Sequence, residues 1–394
     1  MSDPPDDRLP SAAITSCDGR VKRLREAISA HPIDGLLISN APDIRYLTGF
    51  VGDDSLLLVG GVEGATIISD TRYDEFLEPW AALGHVDVVM GTRHHLEKSV
   101  ERLSRSGGIR RLGIQAEYLT IAQQQTLATI FPAEALVATE GLVAKLRIRK
   151  DDQEIGSIER AASIQSEAMR VALARLAPGM TELAFCAAVE FEMKVRGASG
   201  PSFATMVATG PRSSVIHHQT GAVTIGQGVL LVDWGAVADG YCSDMTRTFG
   251  LGGLPAKITE IYQIVLDAQL AAIEACRPGK TCTEIDAVAR DLITAAGYGE
   301  RFGHGLGHGL GLNVHEAPYF SQHTTDVILE PGMVMTVEPG IYLPGVGGVR
   351  IEDDILITDA GCRVLTEYPK DPDSIMLEPV TAATGGRLED SCHA

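Results

Sequence analysis

Basic residues are scarce in this chain: 33 lysines and arginines stand against 52 aspartates and glutamates, for a formal net charge of −19. A surface of that sign repels nucleic acid and anionic membranes, so neither is expected as a partner. Overall charge does not fix the sign of a local site. Cysteine is sparse too. The seven residues Cys17, Cys186, Cys242, Cys276, Cys282, Cys362 and Cys392 are odd in number, scattered and without CxxC spacing. That argues against a disulfide framework and a thiolate zinc cluster, and it fits reduced thiols in a cytoplasmic protein. There is no run of about 18 apolar residues, so no membrane span is expected. The opening MSDPPDDRLPSAAITSC has no basic start followed by an apolar stretch, so it is not read as a secretory signal.

What is present is the profile of a globular protein, 45% hydrophobic and 22% charged. A length of 394 residues exceeds one ordinary core, so two domains are expected. Residues 1–17, rich in Pro, Asp and Ser, read as a disordered tail, and so do residues 380–394. Residues 18–147 alternate helical spacing with short apolar runs: GLLISN (35–40), SLLLVGG (55–61) and ATIISD (65–70). This pattern predicts an α/β layer domain around a central sheet. It carries no nucleotide loop or catalytic constellation. His94 and His95 stand together without a ligand-type partner nearby and read as surface residues. The charged opening of segment 146–176 marks a domain junction, followed by a packed helix. The second domain is placed at 148–379.

That second domain contains a weak internal repeat. LARLAPGMTELAFCAAVEFEMKVRGA (173–198) resembles IEACRPGKTCTEIDAVARDLITAAGY (273–298), each with Pro-Gly-x-Thr ahead of an amphipathic helix. Pro-Gly ends one helix and the threonine caps the next. GQGVLLVDWG (226–235) and EPGMVMTVEPG (330–340) then share the order glycine, apolar strand, carboxylate, glycine. Two similar helix-then-sheet halves facing one another are expected, with a cleft between them as the natural site.

The chemistry-bearing residues fall in those halves. Asp233 ends the apolar run VLLV, where an acid is costly unless paired or bound to a cation. Asp244 follows across a turn that can return it to the same sheet edge. By themselves the two could equally be turn aspartates in solvent. The stretch GHGLGHGLGLNVHE (303–316) carries His304, His308 and His315 among closely spaced glycines. Such density weakens helix and strand alike, so close approach of a ligand or of another chain segment must explain it. Glu338 ends the run MVMTV and mirrors Asp233. GGVRIEDDILIT (347–358) reads as one strand, with Arg350, Glu352 and Asp354 on one face and Val349, Ile351 and Asp353 on the other. Taken alone, Arg350 and Glu352 could form a surface ion pair. Converging carboxylates would repel or stay protonated without cations. Two divalent ions would resolve the conflict, and oxygen and imidazole donors suit manganese, cobalt, iron or zinc.

In order and context, Asp233, Asp244, His308, Glu338 and Glu352 resemble the ligand set of the pita-bread metallopeptidases. VDWGAVADGYCSDMTRTF (232–249), HGLGHGLGLNVHE (304–316), VEPGIY (337–342) and GGVRIEDD (347–354) look most like the Xaa-Pro aminopeptidase and prolidase group. Residues 18–145 look like a creatinase-type N-terminal domain. The resemblance implies an α+β chain, with an N-terminal α/β domain and a pita-bread catalytic domain of pseudo-two-fold halves. It implies two divalent ions per subunit, manganese first, and attack by a metal-bridging hydroxide on the bond before proline at the second position. Asp233 would chelate one ion, Asp244 and Glu352 would bridge both, and His308 and Glu338 would complete the other's shell. Glu338 would also be the general base. His315 and His217 would contact substrate and steady the tetrahedral intermediate, with His218 a rival for the place of His217. His304 would line the proline pocket, and Arg350 and Tyr342 would support the acidic ligands. A homodimer is implied as well. Two other readings compete: hydrolysis of a small non-peptide amide on the same machinery, and a non-catalytic binding protein. The complete ligand set weighs against the second of these and against the metal-free creatinase branch.

Overall fold

The computed structural model describes residues 11–62, 64–92 and 96–379. The chain divides into two compact units, Met1–Arg147 and Ile148–Ala394.

The first unit is a six-stranded mixed sheet with helices. Its strands are β1 (Gly35–Ile38), β2 (Leu56–Gly60), β3 (Ala65–Asp70), β4 (Asp87–Gly91), β5 (Leu112–Gln115) and β6 (Leu136–Thr139), in spatial order β4-β3-β2-β1-β5-β6. The helices are α1 (Ser11–Ser29), α2 (Ala41–Thr48), α3 (Asp74–Leu83), α4 (Leu96–Ser106), α5 (Ile121–Ala128) and α6 (Leu142–Arg147). The strand β1, GLLI, is buried along its whole length, which is why it reads as a continuous apolar run and not as an alternating one. The sheet thus forms where the apolar runs predicted it. One expectation is corrected: α1 begins at Ser11, inside the stretch read as a tail. The Pro-rich composition behind that reading ends at Pro10, and SAAI then supplies residues that tolerate a helix. The rest of both expected tails lies outside the described residues, as do His94 and His95.

The second unit is built twice over. The helices α7 (Asp152–Ala174) and α8 (Glu182–Val195) open the first half, and α9 (Ala256–Ala275) and α10 (Cys282–Ala295) open the second. Thr181 caps α8 through the Ala184 N–H at 3.1 Å, and Thr281 caps α10 through the Glu284 N–H at 3.1 Å. Each threonine also bridges to a later segment, Thr181 to Thr224 and Thr281 to Ile328. The Pro-Gly-x-Thr repeat is therefore a repeat of structure.

Each helix pair precedes a largely antiparallel sheet. In the first half β8 (Met206–Thr209), β9 (Gly228–Trp234) and β12 (Met245–Leu251) are joined by β20 (Met376–Leu377), in the order β20-β12-β9-β8. Small strands β7 (Gly200–Pro201), β10 (Ala236–Ala238) and β11 (Tyr241–Cys242) form a separate sheet. In the second half the order is β14-β13-β15-β18-β19, from β13 (Gly307–Gly309), β14 (Glu316–Phe320), β15 (Val334–Val337), β18 (Asp353–Ile357) and β19 (Cys362–Val364). Leu230, Val232, Met335, Val337 and Ile355 share one core with Phe185 and Tyr262 of the helices. The registers match across the halves: Asp233 lies opposite Thr246, and Thr336 lies opposite Asp354.

The stretch read as one strand, 347–358, is two. β17 (Gly347–Arg350) pairs with β16 (Gly340–Leu343), while β18 belongs to the five-stranded sheet. The break falls at Ile351 and Glu352, whose N–H groups turn to Pro339 O and Thr246 O. Alternation survives the break. Asp353 faces Arg247 and Lys370, while Arg350, Glu352 and Asp354 point to the opposite side.

Close chain approach explains Gly305, Gly307 and Gly309, whereas a Cβ on Gly303 would meet nothing within 4 Å. A Cβ on Gly307 would stand 2.0 Å from Thr336 O, and one on Gly309 would stand 2.5 Å from Ala317 O. Backbone cannot yield to such contacts without moving β15 or β14. Gly307→Ala should therefore destabilise the protein by about 1–3 kcal/mol. Thermal or urea unfolding of the variant measures this, and unchanged stability would show that the strands can separate freely.

Candidate metal centre

The two half-sheets bring their carboxylates together. Asp244, His308 and Glu352 each offer a ligand atom, and these atoms lie within 4.8 Å of one another. All three residues are buried. Glu338 adjoins them, with Oε1 3.3 Å from His308 Nε2. His308 Nε2 also lies 3.8 Å from Asp244 Oδ2. Asp233 lines the same cavity and is held by Arg350 Nη2. Three of the five expected ligands thus form the compact group, and the other two border it.

Local structure aims each one. Asp233 sits next to the end of β9, and Asp244 immediately precedes β12, whose Thr246 opposes Asp233. Thr246 donates to Glu352 Oε2 at 2.6 Å and accepts from Arg350 Nε at 3.0 Å. In the other half Thr336 accepts from the His308 N–H at 3.0 Å and donates to Glu338 Oε1 at 3.3 Å. His308 Nδ1 faces Gly309 O at 3.1 Å, which fixes the ring and leaves Nε2 toward the cluster. Arg350 is not a surface residue paired with Glu352. It is buried and bonded to Asp233, Thr246 and Tyr342. The Tyr342 hydroxyl meets His304 Nε2 at 2.9 Å, so a hydrogen-bonded chain runs from His304 to Asp233.

The histidines beside the centre sort by their partners. His218 Nε2 lies 2.9 Å from Glu182 Oε2, and that carboxylate also receives the N–H groups of Thr209 and Gly221. The imidazole of His218 is therefore committed to the framework. His217, exposed, lines the cavity together with His304 and His315. The ring of His315 stands 4.3 Å from that of His308.

The electrostatics are those of a site built for cations. Burial, together with neighbouring carboxylates, pushes Asp244 and Glu352 well above the ordinary carboxylate range. Burial also raises Asp233, against the pull of Arg350. Burial would raise Glu338 too, but the hydrogen bond and charge of His308 outweigh it and bring that group to about 2. Asp233 Oδ1, Asp244 Oδ1 and Asp354 Oδ1 are buried without a hydrogen-bond partner. Buried acceptors of this kind, crowded by like charge, fit divalent cations bound through oxygen.

Sequence reasoning passed over Asp354, Thr246 and Thr336 as working parts. Asp354 Oδ2 accepts the Asp244 N–H at 3.0 Å and so fixes the start of β12. A usable signal was there: Thr246 and Thr336 each lie two residues from an acid, which in a strand is the same face.

Buried carboxylates and imidazole around a cavity between two half-sheets define a metal-dependent hydrolase of the pita-bread class. The chain belongs to metallopeptidase family M24: residues 156–359 match that family, and residues 20–149 match the creatinase/prolidase N-terminal domain. It is 38% identical over 355 residues to a Xaa-Pro dipeptidase of Pyrococcus horikoshii, covering 89% of this chain and 98% of the relative. A solved Xaa-Pro dipeptidase from Bacillus anthracis superposes with a TM-score of 0.87 at 40% identity, over 92% of this chain and 100% of the other. An X-Pro aminopeptidase from Thermotoga maritima superposes with a TM-score of 0.81 at 31% identity, over 90% of this chain and 99% of the other. No helix among the described residues is long and apolar enough to cross a membrane.

The raised carboxylates set a pH dependence. A carboxyl whose folded pKa lies above its unfolded value favours folding while protonated, and that stability is lost as pH rises through the folded pKa. Asp244, Glu352 and Asp233 are of this kind, whereas Glu338, lowered to about 2, acts oppositely and only below the ordinary carboxylate range. The melting temperature of chelator-treated protein should therefore fall as pH rises above the ordinary carboxylate range, and divalent metal should abolish the fall. A metal-free melting temperature that stays level or rises with pH there would contradict the assignment.

Proposed function

We propose that the chain is a Xaa-Pro peptidase, a dinuclear-metal hydrolase that cleaves the bond between an N-terminal residue and proline. The observation that carries the reading is the cluster of Asp244, His308 and Glu352, bordered by Asp233 and Glu338 on the wall of a cavity lined by further imidazoles. In this reading Asp233 would hold one ion, Asp244 and Glu352 would hold both, and His308 with Glu338 would hold the other. Bound there, divalent ions supply Lewis acidity, polarising a carbonyl and acidifying water toward neutral pH. Manganese is the first expectation, with cobalt, zinc or iron compatible with the same donors. The names of the similar dipeptidase and aminopeptidase support proline at the second position. The reading also includes a cytoplasmic location and a homodimer.

The chain's own groups then divide the work. Glu338 is the base that receives the proton of the attacking water, and its bond to His308 keeps it ionised for that purpose. His315 and His217 hydrogen-bond the substrate and steady the tetrahedral intermediate. Both nitrogens of His304 are engaged, by Gly305 O and the Tyr342 hydroxyl, so it offers ring surface to the proline. Arg350 and Tyr342 hold Asp233 in place.

Chelator-treated protein should cleave Xaa-Pro substrates only after metal is restored. Activity on non-peptide amides alone would move the reading to that substrate class. Glu338→Gln should lower turnover by roughly a hundred- to ten-thousand-fold while the fold is kept; an unimpaired variant would remove the assigned base. Asp244→Ala should lower metal content, read by elemental analysis, as well as rate. Two ions retained per chain would show that Asp244 does not bridge them.

A further inference from the structure

A second group of nucleophilic side chains lies away from the metal centre, where the end of α9 meets the five-stranded sheet. Cys276 caps the C-terminus of α9, and Cys362 opens β19, the last strand in that sheet's order. The Cys276 N–H and the Cys362 thiol both donate to Ile273 O, at 3.0 Å and 3.1 Å. The two thiols are also hydrogen-bonded to each other. Helix and sheet are already docked here: Gln269 of α9 donates to Asp353 of β18, and Ile357 of β18 pairs with Cys362. A bond between the two sulfurs would join elements that already touch.

The two thiols are unequal. Cys276 is 1% exposed and belongs to the main core, whereas Cys362 is partly exposed at the border of that core. The hydrogen bond from Cys276 holds the Cys362 thiol below its ordinary range, against partial burial. The same bond, together with burial, pushes Cys276 far up. Cys186 and Cys282 are pushed up to about 12, chiefly by burial. Thiolate character and access decide which thiol meets an oxidant first, and both favour Cys362. Cys276 stands where a resolving thiol must be, in contact with that sulfur and shielded from the oxidant.

We propose that Cys276 and Cys362 form a redox site: a hydroperoxide oxidises Cys362, and Cys276 resolves the product into a disulfide that ties the end of α9 to β19. In the first step the Cys362 thiolate attacks one peroxide oxygen and the O–O bond breaks. Cys362 becomes a sulfenic acid, and the other oxygen leaves with the proton that the thiol lost. In the second step Cys276 attacks the Cys362 sulfur. The S–S bond forms, the S–O bond breaks, and the sulfenic oxygen leaves as water with the Cys276 proton. Two thiols are oxidised and one hydroperoxide is reduced. Neither cysteine serves the metals or the substrate in the reading above, so the two proposals stand independently.

The test treats the full chain, still folded, with hydrogen peroxide, then alkylates and digests it without reductant for mass spectrometry. The Cys276 and Cys362 peptides should appear joined by a disulfide, and dithiothreitol should return both to the free form. Recovery of both as alkylated thiols after oxidation would overturn the inference, and so would a link from either to Cys282 or any other cysteine. Two variants separate the roles. Cys276→Ser should accumulate sulfenic acid at Cys362, trapped by dimedone, and Cys362→Ser should leave Cys276 unlabelled. Dimedone on Cys276 in the second variant, or none on Cys362 in the first, would remove Cys362 as the attacking thiol.

Discussion

The architecture of the second unit turns on mutual repulsion among carboxylates kept out of water. Asp233, Asp244, Glu338, Glu352 and Asp354 occupy one region, and three of them leave a buried oxygen without a partner. Such a group of acids is unfavourable unless protons or cations occupy it. Arg350 answers only Asp233, and His308 answers Glu338. What remains is a demand for positive charge at a fixed place, and the internal repeat supplies it from both sides. Each half contributes a strand with an acid at or beside its end, and each half sets a threonine opposite an acid.

A second set of contacts keeps those acids from moving apart. The backbone that carries Glu352 crosses between two sheets, and it is held there by Arg247, which donates to Glu352 O, to Asp353 and to the carbonyls of Tyr368 and Pro369. Arg247 is fully buried, and Asp353 receives Lys370 and Gln269 as well. Asp353 is therefore held ionised, below the ordinary range despite its burial, because cations outweigh the lost water. The adjacent Glu352 and Asp354 are pushed the other way. Neighbours in sequence thus have opposite electrostatics: strand alternation sends Asp353 to cations and the flanking acids to the metal centre.

This contrast shows what a sequence can display. The residues that the fold gathers, Asp233, Asp244, His308, Glu338 and Glu352, could be picked out because acids ending apolar runs, and histidines in a glycine-dense stretch, conflict with ordinary core chemistry. The repeat was legible because Pro-Gly-x-Thr is a local helix-stop and helix-cap signal. The break at Ile351 and Glu352 was not, because two strands that keep one alternation across a crossover look like one strand. Pairing partners decide the matter, and those lie about a hundred residues away at Thr246 and Thr248. The same limit hid Asp354, whose role depends on the Asp244 backbone. The glycines at 307 and 309 could signal close approach, but only the fold says that the neighbour is chain and not ligand. His217 and His218 are adjacent and chemically identical, and Glu182 separates them by binding one.

In the function proposed above, these acids with His308 would hold a pair of cations between the two halves. Anomalous scattering from crystals grown with manganese tests it most directly. Two peaks are expected, both within reach of Asp244 and Glu352, one also near Asp233 and the other near His308. A single peak, or none within reach of Asp244 and Glu352, would contradict the dinuclear reading.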